Sequence, residues 1–321
     1  MAESGASPLP PAPTAHSPLF RAEHFVWLTA RVLEQRLFAY HFLNGGVDPV
    51  ETALDAYRNE DGGYGHALEP DLRGPVSQPP HTRHALGVLD AIGRCGGQRV
   101  ERVCRYLTSV STADGALPPV GPGQRGYPTA PSVPVADGLP SDLLTTAPVV
   151  GLLHRNEVWH AWLFRATDFC WRAMESLERP HPREITAAVA FLDAVPDRPR
   201  AQALADRLGR LVREQRFATL DAANRSADEP GTPHQALASG HDPAERRFPH
   251  DFARTPDSLA RAWFTEEEMA RSLDHLAVLQ QEDGGWPARH ARWAPGITLE
   301  TRPMVTIEAL RTLRAHGRHV G

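Results

Sequence analysis

Hydrophobic residues recur at helical spacing from Phe25 onward. The run HFVWLTARVLEQRLFAYHFL places Phe25, Leu28, Val32, Leu33 and Leu37 on one stripe. This spacing is typical of one amphipathic helix with a single buried face. No comparable run of strict alternation, the pattern of a half-buried strand, is present in the sequence. The pattern therefore predicts an all-α protein.

Further segments with helical spacing follow and are joined mostly by short turns rich in glycine and proline. They cover roughly residues 47–58, 80–93, 97–110, 143–153, 156–178, 182–194, 197–215, 265–281 and 298–316. Two stretches, 114–140 and 222–258, do not fit this pattern, because the first is dominated by Pro and Gly and the second is polar. Loops of this length are functional covers or disordered, so we expect lids or rim loops there.

The N-terminal sequence MAESGASPLPPAPTAHSPLF lacks the basic and apolar regions of a signal peptide. We expect a disordered tail over residues 1–20 and a single domain over residues 21–321. The most apolar stretch, 143–153, is too short to cross a bilayer, and we expect no transmembrane segment. Three cysteines without a CxxC pair favour a reducing, cytoplasmic compartment.

Composition excludes several classes of protein. All 34 basic side chains are arginine and none is lysine, which excludes Schiff-base enzymes and Walker-type P-loops. The 39 acidic residues give a formal charge of −5, which repels a phosphate backbone, so nucleic acid is not an expected partner. The sequence also lacks the GxSxG elbow, GxGxxG and HExxH motifs.

An internal repeat is the most informative feature. The sequences NEDGGYG (59–65) and QEDGGWP (281–287) match each other, and TADGALP (112–118) is a degenerate copy. At each copy a helix ends, and the next helix begins after a spacer. Glycine supplies the left-handed residue that stops a helix, and an Asp carboxylate can accept from the turn's backbone. We predict that Asp61 and Asp283 are structural and that the helix pairs close or stack into an array.

The two matching turns resemble the QW-type repeats of the squalene-hopene cyclase and prenyltransferase superfamily. The runs EDGGYGHALEPDLRGPVSQPPHTRHAL and TLETRPMVTIEALRTLRAHG also resemble bacterial proteins called prenyltransferase-like. The resemblance implies an α/α toroid of about five to six pairs of inner and outer helices. It also implies a central cavity and a small, hydrophobic, isoprenoid-like substrate.

The chain departs from that superfamily in its chemical motifs. The superfamily's cyclases protonate an alkene with a DxDD motif, and related enzymes hold magnesium with DDxxD, but neither motif occurs here. Asp168 and Cys170 have the spacing of two zinc ligands of the protein prenyltransferases, without a third ligand beside them. Cys170 is better explained as a small core residue.

The spacer after the first turn carries most of the candidate chemistry. Pro80 is well placed as a first helical residue, so His81 and His84 lie one turn apart near a helix N-terminus. If the spacer is extended, residues two apart point the same way, and two carboxylates would raise each other's pKa. The candidate catalytic residues are His66, Glu69, Asp71 and His81, and the candidate substrate-binding arginines are Arg73 and Arg83.

This cluster is compatible with several roles. Glu69 is the favoured general acid, with Asp71 as the ionised, arginine-paired neighbour. Alternatively, His66, His81 and a carboxylate could hold zinc or non-haem iron, or the arginines could clamp a phosphate or carboxylate. A purely structural interpretation has Asp71 paired with an arginine and the histidines capping turns.

A second group of candidates lies near the last helix. Glu300 and Arg302 precede Pro303, which predicts that they sit in the first helical turn, where the helix dipole favours a carboxylate. Capping is therefore the favoured role for Glu300. Aromatic faces can stabilise a carbocation, although they also serve as packing. The further candidate substrate-binding residues are Trp286, Trp293, Glu300 and Arg302.

Together these observations favour an enzyme that performs acid-initiated cyclisation or prenyl-type chemistry on an isoprenoid-like substrate without the standard acid motif. The alternatives are a non-catalytic ligand-binding toroid and an α/α-barrel enzyme that acts on carbohydrates with a carboxylate pair. The sequence specifies no cofactor, metal or oligomeric state.

Overall fold

The computed structural model describes residues 17–136, 140–220, 247–288 and 293–321. Within these ranges the regular structure is entirely helical, apart from isolated β-bridges, so the all-α prediction is confirmed. Two 3₁₀ turns, Pro122–Gln124 and Leu259–Trp263, accompany the α-helices. The described α-helices are α1 (Pro18–Thr29), α2 (Val32–Phe42), α3 (Val47–Asp55), α4 (Pro79–Ala91), α5 (Gly97–Val110), α6 (Leu143–Arg155), α7 (Ala161–Glu175), α8 (Pro182–Leu192), α9 (Arg198–Glu214), α10 (Pro249–Phe252), α11 (Glu266–Val278) and α12 (Pro295–Ala315).

The first hydrophobic run forms two helices, and the prediction of one continuous stripe is wrong. Ala30 and Arg31 adopt extended backbone with ψ of 152° and 161°, which ends α1 and reorients the chain before α2. As a result, Leu28 and Val32 are 71% and 58% exposed. The hydrophobic spacing of a helix continues through the sequence, but because the backbone breaks between α1 and α2, these hydrophobic residues do not share one helix face.

The three acidic-glycine turns share one backbone geometry. The first glycine of each turn is left-handed, with φ of 91° at Gly62, 88° at Gly115 and 92° at Gly284. Behind each turn another helix passes so closely that an added Cβ would lie 2.5 Å from the Arg102 oxygen, 2.6 Å from the Ala166 nitrogen and 2.1 Å from the Arg21 oxygen, respectively. The turn after α3 therefore abuts α5, the turn after α5 abuts α7, and the turn after α11 abuts α1.

The aspartates of the two best-matching turns hold the backbone, as predicted. Asp61 Oδ1 accepts from the Gly63 N–H at 2.8 Å, and Asp283 Oδ1 accepts from the Gly285 N–H at 3.0 Å. Each bond spans two residues, which is the geometry of an Asx turn. Both carboxylates are therefore part of the junction between two helices.

Each turn is also tied to the helix that follows it through a threonine. The N–H groups of Tyr64, Leu117 and Trp286 donate to the hydroxyls of Thr82, Thr146 and Thr306 at 3.2, 2.9 and 2.9 Å, respectively. Each hydroxyl in turn donates to the carbonyl four residues before it in its own helix. The same pair of hydrogen bonds thus recurs on α4, α6 and α12.

The two ends of the described chain meet. Helix α1 packs against α12, and α12 also packs against α2. The Leu19 N–H donates to the Val320 oxygen at 2.7 Å. Ser17 caps α1 by accepting from the Phe20 N–H, so residues 17–20, which we expected in the tail, belong to the start of this helix. Residues 1–16 lie outside the described ranges.

The described part of the first long loop covers the spacer that carries the candidate residues. The Arg73 N–H donates to the Pro128 oxygen at 3.0 Å, and the Ala130 N–H donates to the Asp71 oxygen at 2.9 Å. The 114–140 segment thus has the contacts of a rim loop. Residues 221–246, most of the second expected loop, lie outside the described ranges. None of the helices in the described ranges has the length and apolar character needed to cross a bilayer.

Candidate functional site

The spacer between the first turn and α4 is compact, and the prediction of an extended segment is wrong. His66 and Ala67 have φ of 55° and 58°, and the Leu72 N–H donates to the Glu69 oxygen at 3.1 Å. Pro70 suits the second position of such a turn. Because the chain reverses between residues 69 and 72, the side chains of Glu69 and Asp71 have different neighbours.

Arg31, in the break between α1 and α2, anchors this spacer to the helices. Its guanidinium donates to the carbonyls of Ala67 and Leu68 at 3.0 and 3.2 Å. It also forms two hydrogen bonds, of 3.0 and 2.6 Å, to the buried carboxylate of Glu34. Sequence reasoning missed Arg31, because the helical spacing continues across the break that directs its side chain inward.

Glu69 binds the N-terminal part of α4. Its Oε1 lies 3.1 Å from His84 Nδ1 and 3.3 Å from Arg83 Nη2. Burial by itself raises the pKa of Glu69, but the hydrogen bond and attraction from His84 and the charge of Arg83 outweigh burial and bring the pKa to about 2. A pKa this low corresponds to an ionised Glu69 near neutral pH, paired with His84 and Arg83.

His81 is fully buried and caps the spacer. Its Nδ1 accepts the Glu69 N–H at 2.9 Å, so the ring proton of the neutral form is on Nε2. Burial is the main cause that lowers the pKa of His81, to about 4. Nε2 has no hydrogen-bond partner among the described residues. The interpretation that a histidine caps this turn is confirmed for His81.

The metal-binding interpretation does not fit the described residues. His66 is exposed and its Nε2 lies 2.9 Å from Asn59 Oδ1, while His81 Nδ1 is occupied by a backbone N–H. Within the described ranges, no three His, Cys, Asp or Glu side chains converge as metal ligands would. This includes Asp168 and Cys170, and Cys170 is a fully buried core residue.

Asp71 and Trp293 come together from the two ends of the sequence. The indole N–H of Trp293 donates to Asp71 Oδ1 at 3.2 Å, and both side chains are partly buried. Since the backbone of Asp71 is also bonded to the rim loop at Ala130, three separate segments fix this carboxylate.

Arg73 pairs with Glu300 across the site. Arg73 Nη1 lies 2.6 Å from Glu300 Oε2, and Arg31 Nη1 lies 3.9 Å from the same oxygen. Helix α12 begins at Pro295, whose fixed φ suits a first turn. Glu300 therefore lies in the second turn, and the prediction that it caps the helix is wrong.

Arg302 and Trp286 belong to the last acidic-glycine turn. Arg302 donates to both Asp283 oxygens at 2.6 and 2.7 Å, and its guanidinium lies 4.6 Å from the centre of the Phe25 ring. Trp286 is 1% exposed, and its indole N–H donates to the Leu276 oxygen at 2.8 Å. Both side chains are engaged in the helix junction.

Two grooves open on the surface of the described residues. One, of about 600 Å³, is lined by Tyr106, Gln78 and several prolines beside the first turn. The other, of about 740 Å³, lies between Leu259, Met269 and His316. Neither groove is lined by the cluster around Glu69 and Asp71.

The chain is 28% identical over 249 residues to a protein named drimenyl diphosphate synthase from Streptantibioticus cattleyicolor. The match covers 76% of this chain and 42% of that protein, so the chain spans less than half the length of this relative. No family model matches the chain. The similarity agrees, at the level of the superfamily, with the resemblance to terpene cyclases and prenyltransferase-like proteins.

Proposed function

We propose that this protein is a terpene cyclase-like enzyme that acts on a hydrophobic, isoprenoid substrate by acid-initiated chemistry without a DxDD motif. The observation that carries the proposal is the contact between the Asp71 carboxyl and the Trp293 indole N–H at 3.2 Å. It joins an acid to an aromatic ring, and an aromatic face can stabilise a carbocation through its quadrupole. The similarity to drimenyl diphosphate synthase supports an isoprenoid diphosphate as the substrate.

In this proposal Asp71 is the proton donor. Glu69 is unsuited to that role because its pKa is about 2. The Asp71 carboxyl transfers its proton to an alkene of the substrate, ring closure moves the cation along the chain, and loss of a proton restores an alkene. Glu69 instead fixes the start of α4 through His84 and Arg83, and the Arg73–Glu300 ion pair holds α12 beside the spacer.

We also propose that the helices form an α/α toroid. The first two acidic-glycine turns contact the second helix after them and the last turn contacts α1. Together with the packing of α1 on α12, these contacts are those expected of a closed ring of helix pairs. A ring of this kind makes residues 21–321 a single domain. The recurring threonine bonds on α4, α6 and α12 support the assignment of these helices to equivalent positions.

A non-catalytic protein that binds an isoprenoid is the second candidate. The observation that favours it is that the charges of the cluster neutralise each other, through the ion pairs of Arg31 with Glu34, Arg73 with Glu300 and Arg83 with Glu69. In that case the protein binds the same substrates as the proposed enzyme and leaves them unchanged.

The test is incubation of the full chain with linear isoprenoid diphosphates of ten, fifteen and twenty carbons, followed by mass spectrometry of the products. We expect a cyclised product, and we expect Asp71→Asn to lower the rate by about a hundredfold or more, as for loss of a general acid. Asp48→Asn is the matched control, because the Asp48 carboxylate is 91% exposed. Binding without conversion would favour the second candidate, and equal activity of Asp71→Asn would remove Asp71 as the donor.

A further inference from the structure

The larger of the two grooves, of about 740 Å³, lies far from the candidate site. His316 lines this groove and directly follows the last residue of α12. At a rise of 1.5 Å per residue, His316 lies about 24 Å along the helix axis from Glu300, which belongs to the candidate site. A ligand in this groove therefore occupies a second site, separate from the cluster around Glu69 and Asp71.

Part of the lining of this groove is apolar. Met269 and Leu273 are four residues apart on α11, so their side chains lie on the same face of this helix. Leu259 of the second 3₁₀ turn and Phe264 add to this surface. The volume falls within the range of pockets that hold small molecules. The groove thus has the size and the apolar surface to take up a hydrocarbon chain.

Two arginines, Arg261 and Arg318, line the same groove. Arg261 Nη1 donates to the Phe264 oxygen at 2.8 Å, and Arg318 Nη2 donates to the Ala270 oxygen at 3.1 Å. Because Phe264 and Ala270 also line the groove, these bonds hold both guanidiniums at its wall. A guanidinium carries five N–H donors, so each arginine retains donors for a further partner.

The carboxylates that pair with these arginines are exposed to water. Arg261 pairs with Glu266, whose side chain is 95% exposed and which is the acidic residue in the described lining of the groove. Arg318 Nη2 lies 3.0 Å from Asp274 Oδ1, and the Asp274 side chain is 64% exposed. Ion pairs with such exposed carboxylates contribute little, because water solvates the partners. An anion that enters the groove can therefore replace these carboxylates as the partner of both guanidiniums.

We propose that this groove binds a single-chain lipid anion, whose hydrocarbon chain contacts the apolar lining and whose phosphate or carboxylate group binds Arg261 and Arg318. A guanidinium presents a planar fork of donors that matches the oxygens of either group, and burial of the chain removes apolar surface from water. Such a site goes beyond the proposed function and does not depend on it, because the groove is not lined by the candidate site.

The experiment is calorimetric titration of the full chain with decyl phosphate and with decanoate, each below its critical micelle concentration. We expect at least one of these anions to bind, and the tighter of the two identifies the head group. Inorganic phosphate and decyltrimethylammonium should bind at least about tenfold more weakly, because the first lacks the chain and the second has the wrong charge.

Variants of the lining test the place of binding. Arg261→Gln and Arg318→Gln should each lower the affinity by about tenfold, the loss expected for a hydrogen bond to a charged group. Ala270→Phe, which fills the groove without a change of charge, should lower it by at least as much. The matched controls are Arg271→Gln, which changes an exposed arginine paired with Glu267 on the same helix, and Ala161→Phe, which adds a ring at an exposed alanine of α7.

Both controls should bind like the unchanged protein, and so should Arg73→Gln, which changes the candidate site. Thermal unfolding checks that every variant is folded. The proposal is overturned if neither anion binds, if the folded lining variants bind as tightly as the unchanged protein, or if decyltrimethylammonium binds equally well. A loss of affinity in Arg73→Gln without one in the lining variants would place the anion at the candidate site and overturn it too. Failure of the proposed function would leave these results unchanged, since the titration involves no conversion of a substrate.

Discussion

At the residue scale, a few side chains fix the turns on which the candidate site is built. Asp283 binds both the backbone of its own turn and the guanidinium of Arg302. Asp61 in the first turn binds Gly63 and the Ser77 hydroxyl, and no arginine of the described ranges pairs with it. The aspartate of the last turn is therefore held by an ion pair that the aspartate of the first turn does not have within the described ranges.

We predict that Asp283→Ala lowers the free energy of unfolding by about 1–2 kcal/mol, since it removes a backbone cap and leaves Arg302 without its carboxylate. Asp61→Ala should cost less. Urea unfolding measures both, with the exposed neighbour Glu282→Ala as the control. Binding of isoprenoid diphosphates should not change, and a loss of binding with stability preserved would place the turn in the site.

A second prediction at this scale concerns pH. Burial lowers the pKa of His81 to about 4 in the folded protein, while the unfolded value is about 6.5. Between these values the unfolded chain binds more protons, so His81 stabilises the fold fully above pH 6.5, and this contribution is lost as the pH falls toward 4. The slope from one such histidine reaches about 1.4 kcal/mol per pH unit.

Urea unfolding between pH 7 and pH 4.5 measures this slope. We expect His81→Gln to reduce it, and His319→Gln, which changes an exposed residue, to leave it unchanged. His41 should contribute in the same direction, because its pKa is also lowered, to about 3. An unchanged slope in His81→Gln would mean that His81 is protonated in the folded protein.

At the element scale, the helices were predictable and the connections between them were not. The bounds of α5 coincide with the predicted range 97–110, because its hydrophobic spacing agrees with the two glycines at its start. The break at Ala30 and Arg31 carries neither glycine nor proline, and it depends on contacts of Arg31 with residues far along the chain. The spacer from His66 to Arg73 was predicted to be extended, and this was wrong for a related reason. Its turns depend on hydrogen bonds to α4 and to the rim loop.

The structural role of the turns, in contrast, could be predicted from the sequence. Glycine, aspartate and a following aromatic residue each have a local physical reason to occur there. The partners of Glu69, Asp71 and Glu300 could not be predicted. Glu69 contacts His84 within the same part of the chain, but the contacts of Asp71 with Trp293 and of Glu300 with Arg73 join residues more than 200 positions apart.

The contact between the last turn and α1 gives a prediction at this scale. Gly284→Ala places a Cβ 2.1 Å from the Arg21 oxygen and also strains a left-handed residue. Gly93→Ala is the matched control, because Gly93 has φ of 67° but no atom within 4 Å of an added Cβ. We expect Gly93→Ala to cost about 1 kcal/mol, the strain alone, and Gly284→Ala to cost clearly more. Equal decreases in stability, measured by thermal unfolding of the two variants, would contradict the close contact between the last turn and α1.

At the scale of the whole molecule, the described helices connect the first residues of α1 with the last residues of the chain. Leu19 binds Val320, and α12 packs on both α1 and α2. The candidate site depends on this closure, since Glu300 and Trp293 reach the spacer from the C-terminal end of the sequence.

We predict that deletion of residues 298–321 yields an insoluble protein or one without fixed tertiary packing, because it exposes the apolar faces of α1 and α2. Deletion of residues 1–16, which precede the cap of α1, should leave thermal unfolding unchanged. Near-UV circular dichroism and the cooperativity of unfolding measure the outcome. A C-terminal truncate that unfolds cooperatively would contradict the closed arrangement.

The most direct test of the proposed function is conversion of a linear isoprenoid diphosphate in deuterium oxide. If Asp71 donates an exchangeable proton to an alkene, the cyclised product must carry one deuterium, seen as a mass increase of one unit by mass spectrometry. Asp71→Asn should form this product at least about a hundredfold more slowly, while Asp48→Asn should give the same product as the unchanged protein. A product without deuterium, or no conversion of any chain length, would contradict acid-initiated cyclisation by this protein.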